Sequence, residues 1–230
     1  MIVAIDGPAG AGKTTAAHAL ARRLGLGHLN TGMMYRALTW LALREGVDPS
    51  DAPGLTALVA ANPVRLEAVD DEERVFIGGR DVTAEIRAPA ISAAVSEVSA
   101  HRAVRRAMVA TQRALLANGD WVCDGRDVGS VVWPQAEVKV FLTASPLERA
   151  GRRRDELAAV GIDLRLEAVL ADIERRDRLD STRVESPLVV APGAVVVDSS
   201  GVPVDEVVET LVTLVRRARA SAVGTRGPGR

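Results

Sequence analysis

The segment Gly7-Pro-Ala-Gly-Ala-Gly-Lys13-Thr14 decides the fold of this chain, because it matches G-x-x-x-x-G-K-[ST] at every fixed position. Glycines let such a loop curl until several backbone N–H groups point at the oxygens of one phosphate. Lys13 can bridge two phosphates as a point charge, and the Thr14 hydroxyl can bind Mg²⁺. The segment therefore predicts a site for a nucleoside triphosphate.

The sequence on either side of this loop has the context that the motif requires. Residues 2–5 are an unbroken apolar run and predict a buried strand. After the loop, apolar residues recur at helical spacing up to Leu24, and Gly25 is suited to a C-terminal cap. A helix that begins at the loop directs its positive end at the same anion.

The same alternation of short apolar runs and helical patterns continues along the chain. It predicts an α/β fold, with a five-stranded parallel core sheet and helices on both of its faces. Further strands are expected at residues 28–30, 121–123, 138–142 and 195–197, the last three as buried runs. Helices are expected at residues 34–43, 103–116, 146–160, 166–179 and 204–217.

Two segments depart from this rhythm. Residues 62–90 contain a strand pattern, an acidic turn at residues 70–72 and a second strand pattern, which together predict an inserted antiparallel hairpin. Residues 220–230 carry Gly, Pro and Arg without periodicity, and we expect a disordered tail.

Composition excludes several classes of protein. The 230 residues have a net charge of −1, so tethering of the whole molecule to nucleic acid or to an anionic membrane is not expected. The single Cys123 excludes an internal disulfide framework and a cysteine-based zinc site. No apolar run approaches the roughly 18 residues of a membrane span, and the first residues do not form a signal peptide. We therefore expect a cytoplasmic protein.

A nucleoside triphosphate site fits either a hydrolysing switch or a small-molecule kinase. A switch needs an apolar strand that ends in Asp, and Asp124 after residues 121–123 could supply that carboxylate. The guanine-reading pattern N-K-x-D is missing, since Lys139 is followed by Val140 and Phe141. Arginines after predicted strand ends favour the kinase, because their planar forks bind phosphate through two parallel hydrogen bonds.

Three further motifs, taken together, resemble one protein family specifically. These are Asn30-Thr-Gly-Met-Met-Tyr-Arg36, Asp124-Gly-Arg-Asp127 and the segment from Arg176 to Arg183, Arg-Asp-Arg-Leu-Asp-Ser-Thr-Arg. With the phosphate loop in first place, their order resembles the nucleoside monophosphate kinases, and most closely the bacterial-type cytidylate kinases. The resemblance covers residues 2 to 217.

The resemblance implies an organisation into three parts. The phosphate-loop core would comprise residues 1–30, 102–145 and 190–219. A monophosphate-binding domain with the hairpin insertion would comprise residues 31–101, and a helical lid residues 146–189. The implied reaction is phosphorylation of CMP and dCMP by ATP, with Mg²⁺ as cofactor and a monomeric enzyme that binds neither nucleic acid nor membrane.

The resemblance also implies site residues. Lys13, Arg36, Arg126 and Asp127 would be catalytic. ATP would bind at Gly7, Pro8, Ala9, Gly10, Ala11, Gly12, Lys13, Thr14 and Thr15, with Thr14 at the metal. CMP would bind at Thr31, Arg36, Ser96, Arg105, Arg126, Asp127, Arg176, Asp180 and Arg183. Within this set Ser96, Arg105 and Asp127 would contact cytosine, and Asp180 the ribose.

Several roles stay open at this level. Asp127 could instead pair with a neighbouring arginine. Asp124 could orient Mg²⁺-bound water or Lys13, or act only as a structural cap. Eight of the nine arginines of the lid fall in two groups, which are Arg149, Arg152, Arg153 and Arg154, and Arg175, Arg176, Arg178 and Arg183. About half of these eight are expected to have surface partners such as Glu148, Asp155 and Glu156. The others are expected to be unpaired without ligand and to close over the phosphates when both substrates bind.

Overall fold

The computed structural model describes residues 1–69 and 72–224, whose strands form two sheets. The strands are β1 Ile2–Asp6, β2 Gly27–Asn30, β3 Val64–Val69, β4 Glu72–Ile77, β5 Arg80–Asp81, β6 Trp121–Gly125, β7 Val138–Thr143 and β8 Val195–Asp198. The central sheet has five strands in the order β2-β6-β1-β7-β8, all of them parallel, which confirms the predicted core. Because β1 lies between two strands from later in the chain, the loop after β1 opens at a topological switch point.

Helices cover both faces of the central sheet. The α-helices of the described residues are α1 Lys13–Leu24, α2 Thr31–Arg44, α3 Ala52–Ala61, α4 Pro89–Val98, α5 Arg102–Leu116, α6 Pro146–Ala158, α7 Leu166–Thr182 and α8 Val204–Gly224. On one face, Val3 packs with Leu20 of α1 and Leu211 of α8. On the other face, Ala4 packs with Leu116 of α5. Successive residues of β1 thus point to opposite, equally buried faces, as its unbroken apolar run predicts.

The edge strand β8 differs from the expectation for residues 195–197. Val195 and Val196 are 44% and 56% exposed, so this run is not buried. Among the strands that the structure describes, β8 pairs with β7 alone and lies at the edge of the central sheet.

The inserted segment folds on its own hydrophobic core beside the central sheet. Strands β3, β4 and β5 form an antiparallel sheet whose Val75 and Ile77 pack with Leu38 of α2 and Leu55 of α3. The predicted hairpin is confirmed as β3 and β4, although residues 70 and 71 of its expected turn lie outside the described residues. The two-residue β5 was not predicted, because it is too short to show an alternating pattern.

Other segments are helical in the structure although the sequence predicted no helix there. Helix α3 begins after Asp51, whose side chain accepts a hydrogen bond from Gly54 N, and α4 begins at Pro89. Helix α8 continues to Gly224, so residues 220–224 of the expected disordered tail are helical; residues 225–230 lie outside the described residues. Within the described ranges, no helix combines the length and the apolar character that crossing a membrane requires.

Helices α6 and α7 form an antiparallel pair over the carboxyl edge of the central sheet. Their shared core is small and consists of Ala150, Leu157, Val169 and Ile173. The chain reverses after Gly161, which has a φ of +80°. These helices fall in the segment expected to act as a lid, and the boundaries between the three expected parts stay predictions.

Candidate active site

A single cleft brings together most of the residues expected to bind substrates. It lies between the phosphate loop, the start of α2, helix α4, the end of β6 and the pair α6–α7. The predicted residues that line it are Ala9, Gly10, Gly12, Lys13, Thr14, Thr15, Thr31, Arg36, Ser96, Arg105, Arg126, Asp127, Arg176, Asp180 and Arg183. Gly7, Pro8 and Ala11 belong to the loop without lining the cleft.

The phosphate loop is held in shape by close backbone approaches. A Cβ atom on Gly7 would lie 1.9 Å from the Leu142 carbonyl oxygen, and one on Gly10 would lie 2.8 Å from that of Arg149. Gly10 has a φ of +74°, which only glycine adopts without strain. Arg149 of α6 also donates to the Ala9 carbonyl at 3.1 Å. The loop therefore requires glycine at these positions and is tied to α6.

Lys13 is buried at the base of the loop. Its Nζ donates to the Pro8 carbonyl at 2.7 Å, and the residue is 6% exposed. Burial and the nearby Arg126 lower the pKa of Lys13 well below its ordinary value, while Asp124 and Asp6 oppose that shift. An anion bound in the loop would favour the charged form of Lys13, so this cation is suited to phosphate rather than to water.

Thr14 and Asp124 lie together beside the loop. Thr14 Oγ1 donates to Asp124 Oδ2 at 2.9 Å, and His28 Nε2 lies 2.8 Å from Asp124 Oδ1. Burial would lower the pKa of His28, but the hydrogen bond and charge of Asp124 and the charge of Glu73 together raise it. Several roles were left open for Asp124. In the structure its carboxylate contacts Thr14, the residue expected to bind Mg²⁺. His28 belongs to none of the sequence motifs that indicated the site.

Asp127 forms a buried ion pair with Arg105. Pairing with a neighbouring arginine was one of the two roles left open for Asp127. Arg105 Nη2 lies 2.5 Å from Asp127 Oδ2, and Arg183 Nη2 lies 3.9 Å from Oδ1. Arg105 also donates to the Ser99 carbonyl at 3.1 Å. Ser96 lines the same end of the cleft. This end therefore presents guanidinium, carboxylate and hydroxyl groups at fixed positions.

Four arginines meet in the same cleft as the phosphate loop. We call Arg36, Arg126, Arg153 and Arg176 the arginine cluster. Burial first, and then the charges of the other three members, lower the pKa of Arg36 to about 9. Asp180 and Glu156 contact the cluster, so four guanidinium groups minus two carboxylates leave an excess of two positive charges. That excess matches a phosphate dianion.

The cluster is held by partners on three elements. Arg36 Nη1 donates to the Ile86 carbonyl at 3.1 Å and to Ser92 Oγ at 2.9 Å. Arg153 Nη2 donates to the same Ser92 hydroxyl at 3.1 Å. Arg126 Nε lies 2.9 Å from Asp180 Oδ2, and despite burial the charges of Arg126 and Arg183 lower the pKa of Asp180. The sequence motifs identified Arg36, Arg126 and Arg176, but not Arg153 or Ser92.

The arginines of α6 and α7 are more fully paired than expected. Arg153 contacts Glu156 and Arg154 contacts Asp155, as the expected surface pairs require. Glu148 instead accepts from Gly201 N at 2.9 Å. Arg149, Arg152 and Arg175 also have partners, namely Asp177, Ser199 and Asp172. Arg183 donates to the Ser186 carbonyl at 2.6 Å, so at least six of the eight have a partner, which is more than the expected half.

A solved structure shares the architecture of this chain. A gluconokinase from Sinorhizobium meliloti 1021 superimposes with a TM-score of 0.50 at 17% identity, over 97% of each chain. At that identity the likeness concerns the fold alone. The chain also combines a phosphate loop and an arginine cluster in one cleft.

The chain belongs to the cytidylate kinase family, whose model matches residues 3–217. A cytidylate kinase from Pelotomaculum thermopropionicum is 50% identical over 218 residues, covering 94% of this chain and 96% of the relative. One from Mycolicibacterium paratuberculosis is 49% identical with the same coverage. The chain is therefore a nucleoside monophosphate kinase, and its family supports phosphorylation of CMP.

Proposed function

We propose that this enzyme transfers the γ-phosphoryl group of ATP directly to CMP or dCMP, yielding ADP and CDP or dCDP. The observation that carries the proposal is the arginine cluster, which lines the same cleft as the phosphate loop. Two anion sites in one cleft suit a reaction between two phosphorylated substrates. Such a reaction depends mainly on positioning and on neutralising charge.

The donor side of the proposal rests on the phosphate loop. Backbone N–H groups of the loop between Ala9 and Thr15 would bind the ATP phosphates, and Lys13 would stabilise charge that develops between the β- and γ-phosphates. Thr14 would hold Mg²⁺, with Asp124 close enough to act through a bound water. These oxygen donors fit Mg²⁺, which usually takes one or two protein ligands together with substrate phosphates. When bound, Mg²⁺ would neutralise part of the triphosphate charge.

The acceptor side rests on the arginine cluster and on the pocket around Asp127. Arg36 and Arg126, with Arg176, would bind the CMP phosphate, and Thr31 lies at the same cleft. Asp127 would accept from the exocyclic amine of cytosine, while Arg105 and Ser96 serve its acceptor atoms. Asp180 and Arg183 would hold the ribose from the side of α7.

The proposal extends to the setting of the enzyme. The near-neutral charge of −1 favours free nucleotides over nucleic acid as substrates. We take the enzyme to be a cytoplasmic monomer of pyrimidine nucleotide metabolism. Gel filtration at micromolar concentration measures the oligomeric state. A dimer would contradict the proposed monomer but not the proposed reaction.

A substrate screen tests the proposal. ADP release is measured with ATP, Mg²⁺ and each of CMP, dCMP, UMP, AMP and shikimate. The proposal predicts strong stimulation by CMP and dCMP and weak stimulation by the others. Stimulation by UMP or shikimate alone would identify a different small-molecule kinase, whereas slow hydrolysis that no acceptor stimulates would indicate a nucleotide-dependent switch.

A further inference from the structure

Glu73 of β4 forms a polar link between the inserted antiparallel sheet and the central sheet. Its Oε1 accepts from the backbone N of Asn30 at 2.9 Å, and its Oε2 lies 3.4 Å from His28 Nδ1. Asn30 is the N-cap of α2, where its side chain accepts from Met33 N. Glu73 thus joins the inserted sheet to the end of β2, at the point where α2 begins.

From His28 the contacts continue to the phosphate loop. His28 Nε2 lies 2.8 Å from Asp124 Oδ1, and the other oxygen of Asp124 accepts from Thr14 Oγ1 at 2.9 Å. Asn30 provides a second link to the phosphate loop, because its Nδ2 donates to Thr14 Oγ1 at 3.1 Å. A continuous path of polar contacts therefore leads from β4 to the first turn of α1.

This path is buried although its members are polar. The side chains of His28, Asp124 and Glu73 are 9%, 4% and 14% exposed. Apolar residues would fill this space without the desolvation cost of charged groups. What fixed polar partners add is a defined orientation for the groups that they contact. Of these three side chains, Asp124 lines the cleft, whereas His28 and Glu73 do not.

We propose that the inserted sheet is a positioning element for the donor site, in which Glu73 holds His28 and His28 holds the Asp124 carboxylate against Thr14. The inference rests on the proposed function in so far as the phosphate loop holds ATP. His28 and Glu73 are positioning residues, because they act through Asp124 without touching a substrate. They share this role although they are 45 positions apart in the sequence.

Paired substitutions at His28 separate positioning from simple packing. His28→Gln keeps an N–H donor that can reach Asp124, and His28→Leu fills the space without one. We expect His28→Leu to lower kcat about tenfold or more, the usual effect of removing a partner that orients a functional group. The KM for CMP should stay within about twofold, and His28→Gln should recover most of kcat. If packing alone mattered, leucine would perform as well as glutamine, and that result would overturn the inference.

His18 offers a matched control, since its ring meets that of His28 edge-on with 5.7 Å between centroids. His18→Gln should leave kcat unchanged. Glu73→Gln keeps an acceptor for Asn30 N but loses the charge opposite His28, so we expect an intermediate fall in kcat at constant KM for CMP. If His28→Leu does not fold, a wild-type kcat in both Glu73→Gln and Glu73→Ala overturns the inference.

A second readout does not depend on turnover. In the ligand-free protein, backbone amide resonances of Thr14 should shift in His28→Leu and return toward the wild-type positions in His28→Gln. Unchanged Thr14 resonances in His28→Leu would refute the positioning role even if the enzyme had a different substrate. Conversely, a wild-type enzyme that CMP does not stimulate, combined with the expected resonance shifts, would refute the proposed function and leave the positioning role standing.

Discussion

Replacing Arg36 by methionine should stabilise the ligand-free protein while removing its acceptor site. Burial and three neighbouring arginines lower the pKa of Arg36 to about 9, which corresponds to about 4–5 kcal/mol against the charged form in the folded state. Methionine keeps much of the aliphatic volume. It loses the hydrogen bonds to the Ile86 carbonyl and Ser92 Oγ, which costs about 1–3 kcal/mol. The net expectation is a gain of about 2 kcal/mol.

Thermal unfolding measures this gain and its functional consequence together. For a chain of 230 residues, about 2 kcal/mol should raise Tm by about 4–8 °C. CMP at 100 times its Kd should stabilise the wild type by about 2.7 kcal/mol and the variant hardly at all. Arg106→Met, on the exposed face of α5, is the control and should change Tm little. An Arg36→Met protein that unfolds below the wild type yet gains as much from CMP would refute the role of the cluster.

Four further predictions follow from the cleft and its surroundings. Lys13→Ala should lower kcat about 100-fold or more in steady-state assays, because a preorganised cation at the phosphates is lost; near-normal turnover would contradict that role. Asp127→Asn should reduce the preference for CMP over UMP in kcat/KM, which we expect to be about ten- to hundredfold in the wild type. It should also destabilise the protein by about 3 kcal/mol, since Arg105 loses its buried partner; an unchanged ratio would place base selection elsewhere. Burial raises the pKa of Asp6 to about 6, so the stability of the wild type relative to Asp6→Asn should fall by about 2 kcal/mol as pH rises from 4 to 6; parallel pH profiles in urea unfolding would contradict this. Hydrogen exchange over residues 149–183 should slow most when ATP and CMP are both present, and equal protection with and without ligands would mean a static pair of helices.

The phosphate loop and the two main arginines could be predicted because their geometry is local or follows from topology. The motif from Gly7 to Thr14 determines its own backbone shape. Arg36 follows β2 by one helical turn and a half, and Arg126 directly follows β6. Since the carboxyl ends of parallel strands meet at one edge, both reach the cleft beside the loop that follows β1.

The partners of these residues could not be predicted, because they depend on how separate elements dock. Ser92 accepts from both Arg36 and Arg153, which come from different parts of the chain. The contact of Glu73 with His28 exists only because the inserted sheet packs against α2. Helix α3 escaped prediction for a local reason, since it is apolar around most of its circumference and has no clear polar face.

The most direct test of the central claim follows the transferred group itself. ATP labelled at the γ-phosphoryl group is mixed with enzyme, Mg²⁺ and CMP, and the products are separated by chromatography. Direct transfer predicts label in CDP in a one-to-one ratio with the ADP formed, and no label on the protein after denaturation. Label that appears in inorganic phosphate at the same rate with and without CMP would contradict the claim that the arginine cluster holds the acceptor.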